Sequence, residues 1–195
     1  NDLSIIQIAG TNGKGSTAAM IARILQVSNY RVGLSTSPHL VTVNERIRIN
    51  GVPIENKFID EFILNFKPDI ERISASFFET ITALAFWYFK KQNIDFAVME
   101  TGLGGRLDSV TACNPILTVI TPISLDHTEI LGDTIQAIAY EKAGIIKGGV
   151  TCVSSKQDRD AYLVLKEKAD SLKSKLIFVD KNILGNINVS LRGGF

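Results

Sequence analysis

Residues Gly10 to Thr17 read G-T-N-G-K-G-S-T, a glycine-rich stretch with one lysine and adjacent hydroxyls. These residue types suit the binding of a polyphosphate. Gly10, Gly13 and Gly15 let an anion approach backbone N–H groups without meeting a Cβ. Lys14 adds a mobile positive charge for the outer phosphates, and Ser16 or Thr17 offers a hydroxyl to a magnesium ion. The expected ligand is ATP with magnesium, cradled by Thr11, Asn12, Gly13, Lys14, Gly15, Ser16 and Thr17. The spacing departs from the common pattern G-x-x-x-x-G-K-[ST], which wants glycine at position 8 and a hydroxyl at 15, where this chain has Ile8 and Gly15.

Three more polar residues fall where the chain leaves a strand pattern. Glu100 ends the apolar run Ile94 to Met99 and opens a second glycine-rich loop, T-G-L-G-G-R-L-D. A carboxylate in that place has the chemistry of a magnesium ligand. Ser37 lies in T-S-P-H-L after the short strand pattern Tyr30 to Ser35, and Pro38 biases it towards an extended backbone. His127 follows the apolar run Ile116 to Ile120. Alone, Ser37 is a solvated turn serine and His127 a structural histidine. Together with Lys14 and Glu100 they converge on the carboxyl edge of the strands, where open α/β sheets bind ligands.

The elements that must hold these residues are legible from periodicity. Ile5, Ile6 and Ile8 predict a strand. Met20, Ile21, Ile24 and Leu25 predict a helix starting near Gly15, with its positive dipole end on the glycine loop. Asn44 to Ile54 alternates and turns at Asn50-Gly51, predicting a small β-hairpin excursion beside the main sheet. Glu55 to Ile73 has helical spacing interrupted by Pro68, which predicts one helix ending there and a shorter one after it. Phe77 to Gln92 is apolar nearly all round and predicts a buried helix, with Phe78 and Glu79 at its start near a loop-lined pocket. Asp133 is expected to cap a helix from Thr134 to Lys147, followed by a strand (Val150 to Ser154), a helix (Asp158 to Leu172) and a strand (Lys175 to Val179). This alternation predicts an α/β fold, a mostly parallel sheet flanked by helices.

The chain has 195 residues, 45% hydrophobic and 21% charged, which fits one globular domain. Its net charge of +1 offers no general attraction for nucleic acid or an anionic membrane, so a phosphate must be caught locally. Cys113 and Cys152 lack metal-ligand spacing and read as core residues. No apolar run has the length to cross a bilayer and no charged leader precedes the first strand, so the cytoplasm is the expected location. The chain opens at Asn1 without methionine and closes on L-R-G-G-F, and a fragment of a longer protein is expected.

Five segments carry a family likeness when taken together and in order. They are G-T-N-G-K-G-S from Gly10, S-P-H-L with N-E-R-I-R-I-N-G between Ser37 and Gly51, E-T-G-L-G-G-R-L-D from Glu100, L-D-H-T-E-I-L-G from Leu125 and E-K-A-G-I-I-K from Glu141. The chain resembles the ATPase domain of the folylpolyglutamate synthase and dihydrofolate synthase family, within the Mur-ligase superfamily. The likeness runs from about Ile5 to Ser154. It implies a P-loop NTPase-like central domain over residues 1–195, with the family's C-terminal glutamate-binding domain absent.

It also implies roles. Lys14 would hold the β- and γ-phosphates, Ser16, Ser37 and Glu100 would serve one magnesium ion, and His127 would ligate a second. Lys142 would correspond to a lysine that reacts with carbon dioxide to form a metal-binding carbamate. Phe78, Arg106, Asp108 and the loop from Ser37 to Arg46 would form the pterin-side pocket. The implied reaction joins L-glutamate to a folate or dihydropteroate carboxylate through an acyl phosphate. The implied partners are ATP, the pterin acid and glutamate, with no nucleic acid, no membrane and a monomeric enzyme. Another Mur-type amino-acid ligase, and a P-loop ATPase or ATP-binding module without a ligase step, remain open alternatives, as does the choice between the two folate activities.

Overall fold

The computed structural model describes residues 3–179. At its centre is β1 (Ser4–Ala9), buried at every position after the first, as expected of a parallel strand covered on both faces. In chain order there follow α1 (Lys14–Val27), β2 (Val32–Ser35), β3 (Ile47–Ile49), β4 (Val52–Pro53), α2 (Asn56–Arg72) and α3 (Phe77–Lys91). Next come β5 (Phe96–Glu100), β6 (Leu117–Ile120), α4 (Thr128–Leu131), α5 (Ile135–Ala143), β7 (Thr151–Ser154), α6 (Arg159–Ser171) and β8 (Leu176–Phe178). The sheet order is β4-β3-β2-β5-β1-β6-β7-β8. All pairs are parallel except β2 with β3 and β3 with β4. The mostly parallel α/β sheet expected from the alternation is the one observed.

Helices cover both faces. Ala18 and Ala22 of α1 pack on Ile6, Ile8, Val32 and Val98. On the opposite face α2 and α3 gather around Phe89 and Met99, and α5 and α6 around Ile138, Ile145 and Leu165. Ile8 pairs with Glu100 and Ala9 with Ile120, so β1, β5 and β6 end side by side.

The hairpin is more integrated than the sequence implies. Asn50 and Gly51 have φ of 49° and 83°, the left-handed pair of a tight hairpin turn, and β3 joins β2 as an antiparallel edge of the main sheet. The predicted break at Pro68 is absent, since α2 runs through it. Phe62, Phe66 and Ile70 all pack on the α3 cluster, which carries the helix past the proline. The carbonyl deprived of its partner belongs to Leu64, an 81% exposed residue on the solvent side of the helix.

The helix expected to reach Lys147 stops at Ala143, and its cap is Thr134, whose hydroxyl accepts from Ala137 N at 3.2 Å, rather than Asp133. Gly144 lies against the chain at Arg106, and Ile145 and Ile146 turn into the core. Cys113 and Cys152 are buried and free. The closing stretch Leu191 to Phe195 and the first residue lie outside the described residues. Among the described residues no helix is long and apolar enough to cross a membrane.

Phe89 is fully buried, and a Cβ on Gly33 of β2 would lie 2.7 Å from its ring. Phe89→Ala is expected to destabilise the fold by about 3–5 kcal/mol. Urea titration checks this as a lower midpoint at unchanged slope.

Candidate functional site

The chain leaves β1 through Gly10, at φ 145°. A Cβ there would lie 1.8 Å from Thr121 Oγ1, so the contact with the chain leaving β6 requires glycine. Gly13, at φ 83°, caps α1 without any side-chain acceptor. The first N–H groups of this 14-residue helix therefore face outward with the positive dipole end, an arrangement that suits phosphate. Lys14 begins the helix, and its Nζ donates to Thr11 O at 3.1 Å. Asn12, Ser16 and Thr17 flank it, and Thr17 N donates to Gly13 O at 2.9 Å.

Glu100, the last residue of β5, is 5% exposed. Its Oε2 accepts from Ser37 N at 3.1 Å and lies 3.3 Å from where a Cβ on Gly15 would sit. Burial pushes the carboxyl above its ordinary range, while the Ser37 hydrogen bond and the charge of Lys14 pull it back. The structure thus brings Lys14, Gly15, Ser37 and Glu100 together. Among the described residues no three His, Cys, Asp or Glu side chains cluster as a ready metal cage. A buried carboxylate completed by hydroxyls, water and phosphate oxygens is nevertheless the donor set that magnesium takes, so the residues present fit that ion.

Lys142, on α5, is only 3% exposed and donates from Nζ to Gly10 O at 2.8 Å. Burial first, and the Lys14 cation second, lower its pKa to about 8, against an opposing pull from Asp126. His127 caps α4 with a left-handed backbone, φ 48°. Its side chain is 56% exposed, with Nε2 3.7 Å from Asp126 Oδ2, so it stands at the outer edge of the group. Asp126, which faces both, is a residue that sequence reasoning passed over, although its place beside His127 was a usable signal.

A cleft of about 600 Å³ opens from Ser37, with Arg46, Phe78, Leu103, Arg106 and Asp108 among its walls. The ring of Phe78 lies against Gly102, where a Cβ would sit 2.6 Å from Cζ. Asp108 is largely spent on its own loop, accepting from Gly102 N at 2.8 Å, Leu103 N at 3.0 Å and Val110 N at 2.9 Å. Arg106 donates to Glu141 through Nη2 at 2.9 Å and Nε at 3.1 Å, so its charge already has a partner. The apolar wall of Leu103, Leu107, Ile130 and Leu131 was not anticipated, because the first two come from a loop and the last two from the single turn of α4, too short to show a period.

The chain matches the model of the Mur ligase middle domain over residues 8–186. It is 46% identical over 170 residues to the dihydrofolate synthase/folylpolyglutamate synthase of Bacillus subtilis, covering 84% of this chain and 40% of that protein. It superposes on a folylpolyglutamate synthase complex with AMPPCP and folate at a TM-score of 0.88 and 39% identity, covering 93% of this chain and 46% of that one. Against the Mycobacterium tuberculosis folylpolyglutamate synthase complexed with ADP and AMPPCP the TM-score is 0.85 at 36% identity, with 92% and 43% covered. The chain thus spans less than half the length of each of these proteins.

Between about pH 8 and the ordinary lysine value of 10.5 the unfolded chain holds a proton that folded Lys142 has lost, so this group stabilises the fold progressively as pH rises through that window. Below it both states are charged and the folded state bears the full burial cost, on the order of 3 kcal/mol. In carbon-dioxide-free buffer, Lys142→Met is expected to exceed the parent in unfolding free energy at pH 7 by about 2 kcal/mol, once the lost Gly10 hydrogen bond is deducted. Urea titrations from pH 7 to 10.5 are expected to show the difference shrinking.

Proposed function

The chain belongs to the Mur ligase middle-domain family, and from that premise we propose that it is the ATP-binding part of a ligase that joins L-glutamate to a folate or dihydropteroate carboxylate. The observation that carries this reading is the meeting, at Ser37 and Glu100, of a phosphate-binding loop with a cleft of about 600 Å³. A nucleotide held on the loop would present its outer phosphate to an acid held in the cleft. The names of similar proteins support the reading, since the solved folylpolyglutamate synthase complex holds AMPPCP together with folate.

In this reaction the acceptor carboxylate attacks the γ-phosphate, giving an acyl phosphate and ADP, and the glutamate amine then displaces phosphate. The chain's residues bind and neutralise. Lys14 and the N–H groups of Gly13, Gly15, Ser16 and Thr17, with Thr11 and Asn12 beside them, offset the phosphate charge that would repel a carboxylate. Glu100, with the hydroxyls of Ser16 and Ser37, would hold one magnesium ion, and His127 a second. The ions supply further charge neutralisation at the transferring phosphoryl group. Phe78 and the apolar wall take the flat pterin, Asp108 shapes the loop beneath it, and Arg106 stands at its rim. Small-molecule partners, a monomer and the cytoplasm complete the reading.

Lys142 is assigned as the site of a carbamate. Its unprotonated amine attacks carbon dioxide, a C–N bond forms, and the nitrogen's proton passes to solvent. The remaining N–H keeps Gly10 O as its acceptor, and an anionic group replaces an ammonium near the metal. A buried lysine with a pKa of about 8 supports this, because a useful fraction is unprotonated at neutral pH.

The test uses the full-length protein that carries this chain, with magnesium, glutamate and ATP. ADP release is expected to require dihydropteroate or a reduced folate, and the preferred acceptor names the activity. Release indifferent to both acceptors overturns the reading in favour of a P-loop ATPase. Depleting carbon dioxide is expected to lower the rate and bicarbonate to restore it, whereas a rate independent of bicarbonate removes the carbamate.

A further inference from the structure

Gln157 lies in the turn between β7 and α6, outside every segment assigned to the site so far. Its carboxamide is nonetheless fully engaged. Oε1 accepts from Ile123 N at 3.0 Å, and Nε2 lies 3.1 Å from each of Thr121 O, Ser154 Oγ and Ser155 Oγ. The amide has two protons for those three acceptors, so Thr121 O and one serine hydroxyl satisfy it at a time.

The segment that Gln157 grips, Thr121 to Ser124, is the one against which the phosphate loop rests. Thr121 N donates to Ala9 O at 2.9 Å, and Thr121 Oγ1 fills the space beside Gly10. Thr11 N donates to Pro122 O at 2.9 Å. The Thr11 hydroxyl donates to Ser124 O at 3.0 Å and accepts from Ser124 N at 3.1 Å. Two residues further along the same segment come Asp126 and His127.

We propose that Gln157 is a positioning residue for the nucleotide site, acting through Thr121 to Ser124 as a splint that keeps Gly10 to Asn12 in their anion-binding shape and sets their spacing from His127. The inference rests on the ATP and magnesium reading above. Gln157 itself touches neither ligand. A carboxamide is the group the position calls for, because the splint presents a carbonyl at Thr121 and an N–H at Ile123, and one planar group must accept and donate at once. Glutamate in its place keeps the acceptor but sets a charge against Thr121 O, and methionine fills the volume without either bond. The competing account is local: Gln157 merely closes its own turn through Ser154 and Ser155, which leaves the nucleotide indifferent to it.

The full-length protein separates the two accounts through Gln157→Glu, Gln157→Met and, at the other end of the splint, Thr11→Val. Gln136→Met, on α5, serves as the control, since it removes a 2.6 Å hydrogen bond to Asp160 at the start of α6, the helix that follows Gln157, without touching the splint. Affinity for magnesium with AMPPCP is read by calorimetry, KM is read for ATP, magnesium and the pterin acceptor, and thermal midpoints are recorded throughout. Both Gln157 variants are expected to bind the nucleotide about tenfold more weakly, the scale of one to two hydrogen bonds. KM for ATP and for magnesium rises with it, while KM for the acceptor and every value for Gln136→Met stay at the parent's. Thr11→Val reproduces the loss, and adding Gln157→Met to it costs little more, because both changes cut one connection. Lowered thermal midpoints with nucleotide affinity within about twofold of the parent overturn the inference, as does an equal rise in all KM values. A parent protein that fails to bind magnesium with AMPPCP overturns the ATP reading and this inference with it, whereas a binding parent with unaffected Gln157 variants overturns this inference alone.

Discussion

Ile8 of β1 pairs with Glu100 of β5, and Ala9 pairs with Ile120 of β6, so three chain exits leave the sheet next to one another. Every part of the candidate site descends from that register. The exit of β1 becomes the glycine-rich loop, the exit of β5 delivers a carboxylate, and the exit of β6 packs so closely on Gly10 that no side chain fits between them. A one-residue slip of β1 against either neighbour would turn its side chains to the opposite faces of the sheet and separate Glu100 from the helix start that it faces. The hydrophobic layers on both faces hold this register, which is why a site made of polar loops depends on Ile6 and Ile8 beneath it.

The same closeness sets the electrostatics. Lys14 and Lys142 stand near enough for one to depress the other, and Lys142 is nearly without solvent. Glu100 feels the charge of Lys14, with its own carboxyl raised by burial. Without a ligand the group holds like charges together and keeps a carboxylate partly desolvated. Anionic phosphate and a divalent cation, the ligands proposed above, are species whose arrival would relieve both conditions.

Local signals were readable in the sequence and long-range partners were not. The strand, glycine loop and helix of residues 5–25 depend on neighbours in the chain, and α1 starts within a residue of its expected position, at Lys14 rather than Gly15. Glu100 announced itself as the polar end of an apolar run. Pro68 misled, because the packing that overrides it comes from α3 and is invisible to local propensity. The resemblance assigns Arg106 to the pterin-side pocket, and nothing local reveals that its guanidinium is already paired with Glu141, 35 residues away. Asp108 reads as a binding carboxylate, and only the folded loop reveals the three backbone N–H groups that occupy it. Gln157 carries no pattern at all; its importance rests on where Thr121 and Ile123 point.

The clasp between Arg106 and Glu141 joins the rim of the cleft to the helix that carries Lys142, and Gly144 presses on the same arginine, with a Cβ there lying 2.2 Å from Arg106 Cα. On the proposed reading, residues that would face an acceptor and a residue that would face the nucleotide share one mechanical support. In evolutionary terms this is a source of pleiotropy. If Arg106 serves the acceptor as proposed, altering it to admit a different acceptor would also disturb the helix that carries Lys142, and a second substitution on α5 would be needed to restore it. Changes of acceptor preference along this wall are then expected to accumulate in pairs, and their order matters as much as their identity.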